Sequence, residues 1–255
     1  MIRIRKEQKM KTMKKFLAGC AIATLLVSAA GIANAVSMLP VNLAQIVENT
    51  EKAFVGTIQS VEVVETPNGW AEKVTATVKE AVLGEVKAGD TVSWLQYRMG
   101  EVARLAGMPK YAAGEEHLIF LAGKGLGTDF QAAYGLGQGS FRVHRNVDTG
   151  EAFVRNEFMN SQLFKGVDTE ALATAIVDND PVQRRLTASE KTRVTTRRAA
   201  QLTLQNYGAS DLDGIKAAAQ AMKAVKNPSV KFAAKDGKTT GGKKVFEAVV
   251  VSPSN

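Results

Sequence analysis

The sequence predicts a β-rich α+β protein: a small antiparallel β-barrel followed by a helical C-terminal region. Three observations carry this. Val74, Ala76 and Val78 alternate with Thr75, Thr77 and Lys79, the two-residue period of a half-buried strand. Five or six strand-like segments fall between 53 and 154, most of them bounded by turn-forming residues. Beyond Asp168 the apolar residues change to helical spacing, with Leu212, Ile215, Ala219, Met222 and Val225 on one stripe.

The elements follow in order. Leu43, Ile46 and Val47 predict a short helix over 40–49. Residues 53–65 are rich in Val, Ile and Thr and end at the turn Thr66-Pro67-Asn68-Gly69. In the second strand Trp70 and Val82 share the parity of the buried set, and 83–90 is a loop. Strands are expected over 91–97 and over 116–122. The latter is apolar on both parities and is therefore covered on both faces. A fifth strand spans 139–145, and a short sixth spans 152–154 across the Asp148-Thr149-Gly150 turn. Asp168 caps a first C-terminal helix, Thr187-x-x-Glu190 opens a second as a capping box, and Ser210 with Asp213 opens a third that ends at Asn227-Pro228. Residues 245–251 read as a final strand.

An ordered set of motifs runs through the β segment. Phe54-Val55-Gly56-x-Ile58-x-x-Val61 is followed by Val74-x-Ala76-x-Val78-x-Glu80-x-Val82-Leu83-Gly84 and by Gly89-Asp90-x-Val92. Gly114-Glu115-Glu116-x-Leu118-Ile119-Phe120-Leu121 and Gln138-Gly139-x-Phe141-Arg142-Val143 complete it. Over about residues 45–145 this order resembles a group of uncharacterised exported bacterial proteins. Their domain is similar to the OB-like barrel of tissue inhibitors of metalloproteinases and netrin modules. The resemblance implies a five-stranded Greek-key barrel. It does not carry protease inhibition with it, because those inhibitors chelate the protease zinc through an N-terminal cysteine held by disulfides.

Charge is distributed in three blocks. Residues 1–35 carry a net +6, 36–180 a net −7 and 181–255 a net +9. The first 15 residues are basic, Phe16 to Val27 is apolar apart from Thr24, and small residues lead to Ala33-Asn34-Ala35. This is the layout of a secretory signal peptide over 1–35 with cleavage between Ala35 and Val36. An uncleaved anchor needs a longer strongly apolar run than Gly19, Ser28, Gly31 and Asn34 allow. A lipoprotein reading of Leu17-Ala18-Gly19-Cys20 places only Phe16 and Leu17 between the lysines and the cysteine. The expected protein is exported, periplasmic or secreted, with no membrane insertion after cleavage. Cys20 is the single cysteine, so a chain starting at Val36 has no disulfide and no thiolate. Two domains are expected: a barrel over 36–165 that folds alone and a basic, mainly helical region over 166–255.

Candidate chemistry is sparse. Glu115 and His117 share a strand face while Glu116 points away, and two groups do not make a metal site. His144 lies between arginines, and Ser140 lacks the spacing of a nucleophile elbow. Neither metal nor cofactor is expected. Glu115, Glu116 and Asp129 are the carboxylates for a hydrolase alternative. The glycine runs 123–127 and 135–139 fit no phosphate-loop spacing and read as flexible hairpin loops. Asp178-Asn179-Asp180 fails as a calcium loop, because Gln183 and Ser189 stand where glycine and glutamate are needed. Arg184, Arg185, Arg193, Arg197 and Arg198 form a basic run that could meet an anionic surface. Nucleic acid is not expected, since aromatic residues are not interleaved.

The segment 94–111 stands out, with Trp94, Tyr97, Arg98, Arg104 and Tyr111 in and beside a long loop. Aromatic and arginine side chains on loops are typical of contact surfaces. The alternative is a plug that closes one barrel end, and exposure of Tyr97, Arg98 and Arg104 separates the two. The sequence reading is therefore an exported, non-enzymatic binding module for a protein or envelope component. A carboxylate-using hydrolase and an envelope structural protein acting through the basic tail are the alternatives.

Overall fold

The computed structural model describes residues 39–125, 128–204 and 208–234. The expected signal peptide with its cleavage site at Ala35 and Val36, and the expected strand at 245–251, lie outside the described residues.

Helix α1 (Leu43–Glu48) opens the described chain. Asn42 caps it: its side chain accepts from the Gln45 amide, and the Gln45 side chain accepts from the Asn42 amide. Strands β1 (Thr50–Thr66) and β2 (Gly69–Leu83) form a long hairpin across the expected turn. Three register shifts interrupt β1 against β2, and such bulges bend a hairpin and increase its twist. β3 (Thr91–Tyr97) pairs with β2, and β4 (Glu116–Ala122) pairs with β1. β5 (Ser140–Arg145), β6 (Ala152–Asn156) and the two-residue β7 (Ser210–Asp211) follow.

The strands make one antiparallel sheet in the order β3-β2-β1-β4-β5-β6-β7. It does not close into the expected barrel. β5 pairs with only three residues of β4 and then carries the sheet outward to β6 and β7 instead of returning to β3. The segment 130–134 partly spans the gap, with isolated bridges from Phe130 to Leu95 on β3 and from Ala133 to Leu121 on β4.

Each face has its own core. On one face Ala53, Val55, Leu118, Phe120, Phe141 and Val154 pack under helices. Those helices are α1, through Leu43, Ala44, Ile46 and Val47, together with α2 (Thr169–Asn179), α3 (Ala188–Leu204), α4 (Leu212–Lys223) and the one-turn α5 (Pro228–Lys231). On the other face the curled β1–β4 enclose Phe54, Ile58, Val74, Trp94, Ile119 and Leu121. β4 is thus apolar on both parities because both of its faces are covered, as its sequence implies.

The caps follow the expected chemistry with one shift. Asp168 accepts from the Ala171 amide, and Thr187 and Glu190 bond reciprocally. Asp211, not Ser210, caps α4 by accepting from the Gly214 amide, because Ser210 is drawn into β7 beside Val154. The charge break near 180 is not a break in packing. Leu172 and Ile176 before it share a core with Leu202, Ile215 and Met222 after it, and with Leu118 and Phe120 of the sheet. No described helix is long and apolar enough to cross a membrane.

Candidate functional site

Alternation along β2 extends to Glu72 and places a carboxylate on the enclosed face. It is 1% exposed. A buried charge must be paired and hydrogen-bonded. Arg98 and Arg104 each reach Glu72 Oε1 at 2.6 Å, and Gln96, its cross-strand partner, donates to Oε2 at 2.6 Å. The Arg98 guanidinium also donates to the carbonyls of Gly100 and Glu101. The loop after β3 is therefore tied back onto the sheet. Of the two alternatives for this segment, Arg98 follows the plug: at 7% exposure it is a structural counter-ion.

The other members of the 94–111 segment divide. Trp94 and Tyr111 are buried core residues, with rings 5.4 Å apart and edge-on. Arg104 is half-exposed, and Tyr97, at 45% exposure, meets Phe130 edge-on. Met99 and Val102 also face solvent. The segment is a plug at its two ends and an exposed tip between them.

The enclosed face opens where β5 and β6 extend beyond the curl. Here a cleft of about 350 Å³ lies between the 109–112 segment and the sheet. Its floor is Tyr111, His117 and Ser140, all buried. Its walls include Arg142, His144, Arg155 and Lys110, with Glu115 and Glu157 as its acids. β4, β5 and β6 bring His117, Arg142 and Arg155 into one cross-strand row.

Glu115 orders the floor. Its carboxylate accepts from the Ala112 amide and from His117 Nε2 (3.1 Å), and it pairs with Arg142 at 2.8 Å. A carboxylate only accepts, so His117 carries its proton on Nε2 and leaves Nδ1 free to accept. Ser140 Oγ lies 3.5 Å from Nδ1. Burial holds the His117 pKa below its ordinary value against the opposing pull of Glu115, so the ring is neutral near pH 7. His144 is also lowered, first by partial burial and then by Arg142 and Arg155. Burial raises the Tyr111 phenol far above its usual range. Its hydroxyl lies beside Ser140 but makes no hydrogen bond among the described residues.

The alignment of Ser140 with His117 and Glu115 is one arrangement the sequence did not reveal. Its Ser–His contact is at the outer limit of a hydrogen bond, and the serine is almost fully buried. The carboxylates named for a hydrolase do not converge. Glu116 faces the other side of the sheet, where it bridges Lys79 and Arg145, and Asp129 pairs with Lys124 in a loop. No cluster of three or more metal-ligating side chains occurs among the described residues.

The run 135–139 is not a flexible loop. It is a buried 3-10 turn in which Gly137 donates to the Gly107 carbonyl at 2.7 Å, and a side chain at Gly137 would strike that oxygen. The turn thus pins the loop that carries Pro109 and Tyr111. In the basic run, Lys191 reaches Asp178 and Arg184 donates to the Asp178 carbonyl, while Arg193 and Arg197 project from the exposed side of α3.

No family model matches the chain, and neither a curated protein nor a solved structure does.

Proposed function

We propose that this chain is an exported, non-enzymatic binding module whose ligand seat is the cleft between the 109–112 segment and strands β4–β6. The observation that carries the reading is the cleft floor. Tyr111, His117 and Ser140 are buried polar groups, Glu115 orients His117 among them, and the Tyr111 hydroxyl lacks a partner among the described residues. A buried polar group without a partner is costly, and polar groups converging in a concave site serve to orient a ligand. The cleft volume lies at the small end of the range for small-molecule sites.

The curled β1–β4 with the 130–134 segment is read as an OB-like unit. The β1–β2–β3 meander, the β1–β4 pairing and the bridges at Leu95 and Leu121 support it. Export is proposed from the first 35 residues. A second reading, contact with a protein of the envelope, is supported by exposed Tyr97 at the end of β3 and by exposed Met99 and Val102 in the loop after it, which the Glu72 ion cluster ties to the sheet. The basic residues of α3 and the turn before it supply a surface for an anionic envelope component.

The test is amide and side-chain NMR with phosphate, acetate and glucose as small probes. Shifts are expected at Tyr111, His117 and Ser140. Shifts confined to the Thr-lined groove between α2 and α3, or no saturable shift at all, would overturn the cleft as the seat.

A further inference from the structure

Arg142 and Arg155 are direct partners across the β5–β6 ladder, and both line the cleft. Opposite side chains in an antiparallel pair stand about 5 Å apart at Cβ, and like charges there are destabilising. The sequence therefore carries an unfavourable pair in the lining of this cleft. Only half of it is neutralised. Glu115 takes Arg142, whereas Arg155 and Lys110 form no ion pair among the described residues. Glu157 is the remaining acid in the lining, one further along the chain from Asn156 and likewise without an ion-pair partner among the described residues.

We infer that the cleft is an oxyanion seat, in which Arg142 and Arg155 hold a phosphate or carboxylate group between them and the body of the ligand extends over Tyr111. This rests on the cleft being the ligand site. Two guanidinium groups on neighbouring strands of one cleft can hold an oxyanion by paired N–H donors, which one lysine would not do. The bound anion turns the like-charge pair into an alternating one. Neutral His117 does not compete as a cation, and the Tyr111 hydroxyl beside Ser140 is a donor in reserve for an outer oxygen. His144 follows Arg142 on the same strand face and already feels both arginines, so it reports the occupancy of the seat.

The experiment titrates the full chain with inorganic phosphate and, separately, with acetate, ionic strength being held constant with sodium chloride. The melting temperature and the His144 imidazole signals are followed by calorimetry and NMR. Saturable stabilisation by phosphate is expected, with an upward shift of the His144 titration as the anion offsets the arginines. R155A should weaken phosphate binding at least tenfold and, without phosphate, melt no lower than the parent. R155K should retain part of the binding, since it keeps the charge and loses the fork. A larger response to phosphate than to acetate assigns a phosphate head group, and the reverse assigns a carboxylate. An unchanged response in R155A, or none to either anion, overturns the inference. If glucose still shifts Tyr111 and Ser140 when the anions fail, only the charge of the ligand was misread. If no probe moves them, the cleft itself is not the seat.

Discussion

Two polar clusters lie on the same face of this sheet, and they resolve the same problem in opposite ways. At the β2–β3 end, Glu72 is sealed from water and saturated by Arg98, Arg104 and Gln96. At the β4–β6 end, Glu115 serves one arginine and one histidine while a second arginine faces the first. An aromatic series joins them: Phe54 to Trp94, Trp94 to Tyr111, and Tyr111 to His117, each edge-on. The first cluster is closed because a buried ion pair must satisfy itself. The second is open to water, which tolerates incomplete pairing and leaves cations for a ligand. A carboxylate whose cations lie with it in the core marks architecture, and an unbalanced set of cations in a cleft marks the candidate site.

The sharpest way to break this comparison is Glu72→Leu. It strands buried Arg98 without its carboxylate and is expected to cost about 3–5 kcal/mol in denaturant unfolding. Adding Arg98→Met should recover much of that loss, and failure to recover would mean that the 98–111 loop depends on more than the ion pair. The matching change at the open end, Glu115→Gln, should cost about 1 kcal/mol, because Arg142 is half-exposed and the amide oxygen can still accept from His117.

Acidification sharpens the contrast further. The folded His117 pKa lies below that of the unfolded chain, so the unfolded state binds more protons once pH falls to the ordinary histidine range. Stability present above about pH 6.5 should be lost progressively below it, as pH falls through the folded value. Calorimetry from pH 7.5 to 5 should show this decline, and His117→Gln should flatten it. A decline unchanged in His117→Gln would move the effect to His144. Smallest of all is Arg155→Ala without added anion, expected within about 0.5 kcal/mol of zero and on the stabilising side. A clear loss would show that Arg155 has a structural partner.

Strand positions, the 66–69 turn and the caps at Asp168 and Thr187 were legible because each rests on a few neighbouring residues. Glu115 and His117 were placed on one face by strand parity alone, and they bond there. The same rule, carried two residues back from Val74, would have found Glu72 on the buried face and demanded a cation for it. Arg98 was read as a contact residue because exposure was inferred from loop position, and a loop can be folded back by one buried carboxylate. The glycine run at 135–139 looked flexible because spacing does not show that a carbonyl from residue 107 lies against it.

The sequence by itself determined the β-rich α+β class, the order of strands β1 to β6 and helices α1 to α4, both faces of β4 and the charge blocks, since these depend on local period, capping and composition. Only the tertiary structure decided that the sheet stays open, that helices on either side of the charge break share one core, and that His117, Arg142 and Arg155 stand in a row. Closure, shared burial and cross-strand register depend on which strand lies next to which. That choice is made by side chains far apart in the chain, whose partners no local pattern names.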